Sequence, residues 1–482
     1  MVRINTTGVF TPAELRKLRS LKDPHGIQRF LDGMPYHLAD TAWSPRRVLR
    51  EGTSHCFEGA IFAAAARLRR RGLALAAAAP TSLRIPITNV YGGGDYTAQI
   101  TIGSSGVTAN VILDTGSSTL AVIPKTYDVS GDNTAKPTSL AQDVIYGTGG
   151  WTGPVLTTNI AMGVEGQSVS IDTYVAITVD DERQGFGAAD GIMGLAFNVL
   201  NSAYNLTAYL EEQGQHPVTY PWPFPVKNTS AAIQQFAAFL QRMPAEDLPP
   251  YFTALETAGI EKNIFAFYTL RSVPSFRSEA PERDKLNQGF FIMGGGPEQT
   301  DLFTGDFVNV AVVDDAWYNT DLLAVQVGSE RTVDVKRLPN KFGKTMISNS
   351  IVDSGTNSLA LANDVFSAIM SSLEAMNPNF TKAIETAANT PVAVETLGLD
   401  QWPEITLMLR GDGGRPVSLT VAPDTYWQVD CPKAGQAICV IGTSGMPQSI
   451  LGLPLMNNYY CVFDRTQNPY GVIRFAPIKT GA

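Results

Sequence analysis

One twelve-residue pattern occurs twice in this chain, and its repetition constrains the fold more than any other feature. "VILDTGSSTLAV" returns later as "SIVDSGTNSLAL". At a constant offset of 239 residues, Asp114 matches Asp353 and Gly116 matches Gly355. Each copy is followed far downstream by a second shared pattern, first "DGIMGLAF" and then "QSILGLPL". The repeat predicts two halves of one design, each presenting one Asp-Thr/Ser-Gly turn.

The rest of the chain after Pro80 is typical of β-strands. β-branched or alternating runs such as "LRIPITNVYGGGDYTAQITIG", "SVSIDTYVAITV" and "YGVIRFAP" recur to the end and are separated by turn residues. Two stretches favour helices, "AAIQQFAAFLQRM" and "ANDVFSAIMSSLEAM", and residues 215–230 form a Pro-rich connector. We therefore expect a mostly β protein of two related β lobes.

The two aspartates suggest a specific chemistry if the halves pack face to face. Two carboxylates about 3 Å apart cannot both ionise, so the pair would share one proton. The charged member can take a proton from a bound water, and the protonated member can donate to a carbonyl oxygen. Asp114 and Asp353 are thus candidate catalytic residues, with water as the nucleophile, no covalent intermediate, and neither metal nor cofactor.

The residues beside each aspartate have predicted supporting roles. The two glycines allow sharp turns that bring backbone amides to the carboxylates. Hydroxyls that could bond across the interface belong to Thr115 and Ser354. Hydroxyls that could bond the outer carboxylate oxygens belong to Ser117 and Thr356.

These motifs resemble the pepsin-like aspartic proteases, over about residues 85–478. "VIYGTGGWTGP" is similar to the flap hairpin that closes over bound peptide in that family. The resemblance implies a bilobal acid protease fold and a monomer that cleaves peptides or proteins at acidic pH. It implies substrate contacts from the flap residues Tyr146, Gly147, Thr148 and Gly149, and from Gly116, Gly355 and Thr356. A catalytically silent peptide-binding protein on the same fold is the alternative.

Some features depart from the family pattern. The first motif often continues into a tryptophan that steadies the flap tyrosine, but here that place is Ala121, and Trp151 stands in the flap. Both features are similar to the beta-secretase branch, although no membrane anchor follows. Residues 198–262 exceed the family's usual length, so we expect the substrate groove to be partly reshaped or covered.

The pattern of the first 80 residues predicts helices, and these residues carry a net charge of +7. A basic prosegment of a zymogen, lying on an acidic body until its carboxylates protonate, is one interpretation. Another is a truncated fragment of a bacterial transglutaminase-like protein, with Cys56 at the start of a helix. A thiol site there needs a histidine base, and after His55 only His216 remains in the chain. We expect residues 1–84 to be the extension, 85–272 the first lobe and 273–482 the second.

Charge and composition exclude several functions. The whole chain has a net charge of −9, so the residues after position 80 carry −16, which would repel nucleic acid. No apolar run is long enough for a membrane helix. Four cysteines are too few for a disulfide scaffold, and a bridge between Cys431 and Cys439 is left open. The cellular location also stays open between export, periplasm and cytoplasm.

Overall fold

A computed structural model gives the arrangement of the β-rich body of the chain. It describes residues 82–479 except 148, 180–184, 225, 227, 228, 260, 339–345, 389 and 468, together with residues 30, 31, 33, 34 and 48. The chain divides into two compact units, Met1–Thr81 and Ser82–Ala482. The predictions on prosegment, transglutaminase-like fragment and Cys56 lie outside the described residues. The boundary between lobes near residue 272 stays a prediction.

Strands dominate the second unit, as the sequence predicts. Its first twelve strands are β1 (Leu83–Gly92), β2 (Asp95–Ile102), β3 (Val107–Asp114), β4 (Leu120–Val122), β5 (Lys136–Ile145), β6 (Gly150–Val164), β7 (Gln167–Ile177), β8 (Gly191–Gly194), β9 (Ser202–Asn205), β10 (Ala245–Asp247), β11 (Ile264–Tyr268) and β12 (Gln288–Met293). The later strands are β13 (Val308–Ala311), β14 (Asn319–Thr320), β15 (Leu322–Val327), β16 (Val333–Asp334), β17 (Ser350–Val352), β18 (Leu359–Leu361), β19 (Val392–Ala393), β20 (Ile405–Arg410), β21 (Pro416–Val421), β22 (Trp427–Val429), β23 (Gln436–Cys439), β24 (Ile441–Thr443), β25 (Ser449–Leu451), β26 (Tyr459–Asp464) and β27 (Val472–Pro477).

Helices are short and few in the described part of this unit. They are α1 (Thr207–Glu212), α2 (Ser230–Leu240), α3 (Tyr251–Thr257), α4 (Asn363–Met376), α5 (Pro378–Ala387), α6 (Val394–Leu397), α7 (Pro423–Tyr426) and α8 (Leu453–Met456). The predicted helices correspond to α2 and α4. None of the helices described in the chain is long and apolar enough to cross a membrane.

The internal repeat of the sequence is also a repeat of strand pairing. In the first half β3 runs parallel to β8, and β4 runs antiparallel to the same strand. In the second half β17 is parallel to β25, and β18 is antiparallel to it. The two late motifs found in the sequence thus supply β8 and β25. Each aspartate lies at the end of a strand that is paired with its late motif: Asp114 is the last residue of β3, and Asp353 directly follows β17.

One large sheet connects the two halves. Its strand order is β10-β9-β5-β6-β7-β4-β8-β3-β2-β1-β12-β11-β26-β27-β13, so late strands pair with early ones. Smaller sheets of five, four and three strands complete the second half. Alternate side chains of β1 point into the main core, where Leu83, Ile85 and Ile87 are buried. The first aspartate-bearing strand, β3, belongs to this large sheet, whereas the second, β17, belongs to the five-stranded sheet.

The long segment after β8 forms its own subdomain at the sheet's edge. The region 201–248 adds β9 and β10 beyond β5 and places α1 and α2 beside them. A small core joins Leu206, Leu210 and Leu240 to Ala141 of β5. The predicted Pro-rich connector lies between α1 and α2, as expected from its composition. The extra length is therefore added at the outer edge of the β5–β6 hairpin.

Candidate active site

Both aspartates lie at the ends of buried strands. Asp114 is the last residue of β3 and is 6% exposed, and Asp353 directly follows β17 and is 7% exposed. The backbone N–H of Gly116 donates to Asp114 Oδ1 at 2.7 Å, and that of Gly355 donates to Asp353 Oδ1 at 2.8 Å. In each motif the turn therefore folds back, so that the glycine N–H donates to the carboxyl group of the aspartate in the same motif.

The glycines let the two turns come together. A Cβ placed on Gly116 would lie 2.7 Å from both carboxyl oxygens of Asp353. A Cβ placed on Gly355 would lie 2.3 Å from Oδ1 of Asp114. Real side chains do not approach so closely, so only glycine leaves room for the carboxyl of the opposite motif. The structure thus brings the two predicted catalytic side chains to one place.

Reciprocal hydrogen bonds hold the two motifs in this position. Thr115 Oγ1 donates to the carbonyl oxygen of Val352 at 3.1 Å and accepts from the N–H of Ser354 at 2.8 Å. Ser354 Oγ donates to the carbonyl oxygen of Leu113 at 2.7 Å and accepts from the N–H of Thr115 at 3.0 Å. Both hydroxyl groups are buried, so the four bonds are shielded from water. The bonds that the sequence predicts across the interface are present.

The two carboxyl groups differ in their hydrogen-bond support. The Thr356 hydroxyl donates to Asp353 Oδ2 at 2.7 Å, as predicted. The matching hydroxyl of Ser117 lies beside Asp114, but it is buried and forms no bond of ordinary geometry within the described residues. Burial, and then the charge of Asp353, raise the pKa of Asp114 well above its usual range. The geometry therefore favours the proton on Asp114.

The predicted flap is the hairpin of β5 and β6. The N–H of Tyr146 donates to the carbonyl oxygen of Gly149 at 2.7 Å and closes the turn, in which Gly147 also lies. The buried indole of Trp151 donates to the Tyr146 hydroxyl at 3.0 Å, and Thr119 lies 3.3 Å from the same oxygen. Burial raises the pKa of Tyr146 well above its usual value, so this hydroxyl stays protonated.

The tryptophan in the flap thus steadies the flap tyrosine. Ala121 of β4 packs in the same buried apolar cluster as Trp151. Thr148, a predicted substrate contact, lies outside the described residues.

Two residues near the pair were not predicted from the sequence. Asp95 begins β2 and is half-buried, and its Oδ1 is buried without a hydrogen-bond partner in the described part of the chain. Burial raises its pKa well above the usual range, and the charges of Asp114 and Asp353 raise it further. Trp317 donates from its indole to the carbonyl oxygen of Gly116 at 2.9 Å and so supports the first turn.

The chain matches a known protein family over most of its length. The family model described as "Eukaryotic aspartyl protease" matches residues 95–221 and 237–477. The chain therefore belongs to the eukaryotic aspartyl protease family, as its repeated motif and bilobal β fold indicate. It is an aspartic-type endopeptidase, which confirms the function predicted from the sequence.

Curated relatives are distant but cover most of the chain. A probable vacuolar protease A of Arthroderma benhamiae is 22% identical over 398 residues, which is 79% of this chain and 78% of the relative. A vacuolar aspartic protease of Candida albicans is 22% identical over 413 residues, covering 82% and 77%. Pepsin-2B of Gadus morhua is 24% identical over 405 residues, covering 80% and 96%. At this identity the likeness supports the family and the reaction class, not a cleavage preference.

Proposed function

We propose that Asp114 and Asp353 are the catalytic pair of this peptidase and that they hydrolyse internal bonds of an extended peptide. Asp353, as carboxylate, takes a proton from water while Asp114 donates its proton to the carbonyl oxygen of the substrate. The resulting tetrahedral intermediate breaks down when Asp353 passes its proton to the amide nitrogen, a hydroxyl of the intermediate returns a proton to Asp114, and the C–N bond cleaves. Water supplies both the new carboxyl oxygen and the proton that the amine retains.

The mutual approach of the two turns carries this proposal. Each carboxyl group occupies the space where a side chain on the opposite motif's glycine would lie. The two carboxyl groups therefore lie in one shared site. The support for placing the proton on Asp114 is the unequal set of hydrogen bonds. Asp353 accepts from the Gly355 amide and the Thr356 hydroxyl, both of which favour a charged carboxylate. Because the two titrations are coupled, the pH profile will report the pair as a unit.

The flap supplies the second part of the proposed site. Backbone groups of residues 147–149 would bond an extended substrate, with Gly116, Gly355 and Thr356 on the opposite wall. Ile145, at the end of β5, is 75% exposed and offers an apolar contact at the flap's edge. The indole of Trp151 on the flap tyrosine supports the likeness to the beta-secretase branch. A working pH in the acid range follows from the need for one protonated and one charged carboxyl.

Substitution of each aspartate tests the catalytic assignment. Asp114→Asn and Asp353→Asn should each lower cleavage of a denatured protein by about 10²–10⁴-fold. Asp334→Asn, an exposed aspartate at the end of β16, is the matched control and should retain activity. Activity of the unsubstituted chain should be blocked by pepstatin between about pH 3 and 7. No pepstatin-sensitive cleavage at any pH, with or without residues 1–81, would instead favour the peptide-binding alternative.

We also propose that the basic N-terminal segment is a prosegment. Its support is its charge of +7 against a body of −16. Attraction between opposite net charges weakens once acid protonates the carboxylates. N-terminal sequencing of protein held at acid pH should find a new start between Thr81 and Pro86. An unchanged N-terminus in a chain that cleaves substrate would contradict the prosegment without affecting the catalytic pair.

A further inference from the structure

The flap hairpin of this chain is attached along its outer edge to the inserted segment. The hairpin's inner strand, β6, is paired with β7 and with β2. Its outer strand, β5, pairs with β9, with Leu140 opposite Asn205 and Ala141 opposite Tyr204. The family match omits residues 222–236 of the inserted segment. We call residues 201–248 the brace segment.

Backbone bonds fix the base of β5 to the brace segment. The N–H of Leu206 donates to the carbonyl oxygen of Ser139 at 2.9 Å, and that of Thr219 donates to the carbonyl oxygen of Thr138 at 2.8 Å. The Thr219 hydroxyl also donates to the carbonyl oxygen of Leu140 at 2.6 Å. These contacts come from two separate parts of the segment, before and after α1. The base of the flap is therefore held at several points.

A buried side-chain relay makes the contact nearest to the flap tip. Gln142, 2% exposed, donates from Nε2 to Asn201 Oδ1 at 2.8 Å and to the carbonyl oxygen of Ser202 at 3.3 Å. Asn201, 4% exposed, in turn donates from Nδ2 to the carbonyl oxygen of Leu248 at 3.0 Å. The N–H of Leu248 returns a bond to the carbonyl oxygen of Asn201 at 2.8 Å. Three residues beyond Gln142, Ile145 begins the exposed tip.

The brace segment has the packing needed to act as a rigid support. Leu206, Leu210 and Leu240 are fully buried with Ala141 of the flap. Five aromatic side chains pack against this small core, and the centroids of neighbouring rings lie 4.8–6.2 Å apart. These rings belong to Tyr209, Trp222, Phe224, Phe236 and Phe239. A strand attached to such a packed unit opens less readily than a hairpin edge exposed to water.

We infer that the brace segment holds the base of the flap and that Gln142 and Asn201 are positioning residues for peptide binding. They restrict flap motion to the tip beyond Gln142, so the flap backbone is already placed when substrate arrives. Loss of the Gln142–Asn201 bond should weaken substrate binding more than it slows the chemical step, because neither residue touches the catalytic carboxyl groups. The kinetic part of this inference rests on the proposed function, whereas the structural part does not.

Hydrogen–deuterium exchange tests the structural part on the full-length protein. All samples carry Asp114→Asn, so the result does not depend on peptidase activity. Gln142→Met fills the same space but removes the donor, and Asn201→Leu removes the acceptor. Each should speed exchange of amides in residues 136–145 by about 2- to 12-fold, the effect of one net hydrogen bond. The double variant should speed exchange by less than the product of the two single effects, because both variants remove the Gln142–Asn201 bond.

Two further variants separate positioning from general loss of stability. Asn201→Asp keeps the oxygen that accepts from Gln142 but loses the Nδ2 donor to the Leu248 carbonyl, so it should speed exchange in residues 136–145 less than Asn201→Leu. Asn287→Ala removes a fully buried amide that bonds to the carbonyl oxygens of Ser275 and Pro281 away from the flap. It should lower the melting temperature without faster exchange in β5. Unchanged exchange of β5 in Gln142→Met and Asn201→Leu, or equal acceleration in Asn287→Ala, would overturn the inference.

Steady-state kinetics with Asp114 intact test the consequence for binding. Gln142→Met should raise KM for a peptide substrate by about 2- to 12-fold and change kcat by less. A fall in kcat with KM unchanged would overturn the assignment as a positioning residue. If the unsubstituted chain cleaves no substrate, the proposed function fails, yet the exchange experiment still decides whether the brace exists.

Discussion

Single hydroxyl groups distinguish the two members of the aspartate pair. Thr356 donates to Asp353, whereas the corresponding Ser117 forms no bond of ordinary geometry to Asp114 within the described residues. A hydrogen bond to a charged group contributes about 1.5–3 kcal/mol, and Asp353 has this bond from Thr356 in addition to the one from its glycine amide. The chemical difference between two nearly identical motifs therefore rests on their fourth residue.

This difference predicts how the pH profile responds to substitution. Thr356→Val should move the acidic limb of kcat/KM to higher pH by about one unit, since one unit corresponds to 1.36 kcal/mol. Ser117→Ala should move it much less, because the Ser117 hydroxyl forms no bond of ordinary geometry within the described residues. The measurement is kcat/KM of both variants between about pH 2 and 7. Equal shifts in the two variants would contradict the proposed placement of the proton.

Asp95 adds a third carboxyl group to the surroundings of the pair. Burial, and then the charges of its two neighbours, raise the pKa of Asp95 well above its usual range, so it ionises less readily than an ordinary carboxyl group. When Asp95 does ionise, its charge favours retention of the shared proton. Asp95→Asn should therefore move the basic limb of kcat/KM to lower pH by about half a unit and leave the acidic limb in place. A pH titration with the exposed Asp128→Asn as control measures this, and a shift of the acidic limb instead would refute it.

Site residues that belong to a repeated motif could be predicted from the sequence, whereas a site residue without a counterpart could not. Asp114, Asp353 and their flanking hydroxyls could be found because each has a counterpart 239 positions away. Asp95 stands in "GGGDY" without a counterpart, and only the folding of β1 and β2 brings it near the pair. Its position at a strand start after three glycines was the available signal, but that signal also fits an ordinary turn.

At the scale of elements, periodicity predicted strands well and helices only in part. The predicted helices α2 and α4 are present, and so are the alternating strands such as β1 and β7. Helix α5 was missed because "NP" usually marks a turn. Here Asn377 accepts from the N–H of Asn379 and caps the helix, while Pro378 occupies its first position. The pairing of β9 with the flap strand could not be foreseen, since no short-range pattern specifies a partner.

The hairpin of β22 and β23 decides the open question of the disulfide. Its register places Cys439 opposite Trp427, while the N–H of Cys431 bonds to the carbonyl oxygen of Gln436 near the turn. Cys431 and Cys439 are therefore not opposite each other in the hairpin. Together with Cys461 they are free, and burial raises the pKa of each thiol, that of Cys439 to about 12.

These thiols should be present but unreactive in the folded protein. A thiol reagent at pH 7.5 should modify none of these three cysteines before unfolding, because reaction needs the thiolate and access to it. After denaturation without reductant, all three should react, and peptide mapping will locate them. A Cys431–Cys439 bridge found by the same mapping would show that the hairpin register is wrong.

Across the whole molecule, one arginine connects the late strands to the residues that follow β8, beside the first aspartate. Arg465, after β26, donates from Nη2 to the carbonyl oxygens of Leu195 and Ala196, both at 2.6 Å. Its Nε donates to the Tyr318 hydroxyl at 2.8 Å, and its guanidinium lies 4.0 Å from the centre of the Phe197 ring. The N–H of Leu195 in turn donates to the carbonyl oxygen of Asp114 at 2.7 Å.

This connection predicts that Arg465 supports stability and activity together. Arg465→Lys cannot reproduce the planar set of donors, so it should lower the free energy of unfolding by about 1.5–3 kcal/mol. Activity should fall as well, because Leu195, which donates to the carbonyl oxygen of Asp114, loses its bond from Arg465. Urea unfolding and kcat measure the two effects, with Arg337→Lys on the exposed surface as control. Full stability in Arg465→Lys would contradict the role given to this side chain.

The sequence predicted the two halves but not the sheet that joins them. The repeat contains only the strands around the aspartates, whereas the joining strands β1, β11, β12, β26 and β27 do not belong to it. Their pairing depends on contacts between residues that lie far apart in the chain, such as Phe265 with Phe463. The bilobal architecture was therefore predicted from the family resemblance, whereas the residue patterns alone predicted the two motifs that carry the aspartates.

The free energy of unfolding depends on pH through buried carboxyl groups whose pKa differs between the folded and unfolded states. Hydrogen bonds from Thr134, Thr158 and Tyr127 overcome the effect of burial on Asp132 and hold its pKa far below the usual range. Its contribution is thus present above the ordinary pKa and lost only in strong acid. Glu261 behaves oppositely, because burial raises its pKa to about 7 and its Oε2 has no hydrogen-bond partner among the described residues.

Glu261 should make the fold more stable in acid than at neutral pH. The folded state binds this proton more tightly than the unfolded state, so the contribution is full below pH 4.5 and is lost as the pH rises through 7. Glu261→Gln keeps an uncharged group at every pH and should raise the melting temperature at pH 7.5 by about 2–4 °C, with little change at pH 4. The exposed Glu279→Gln should alter neither value. Equal gains at both pH values would mean that packing, rather than ionisation, limits stability at this site.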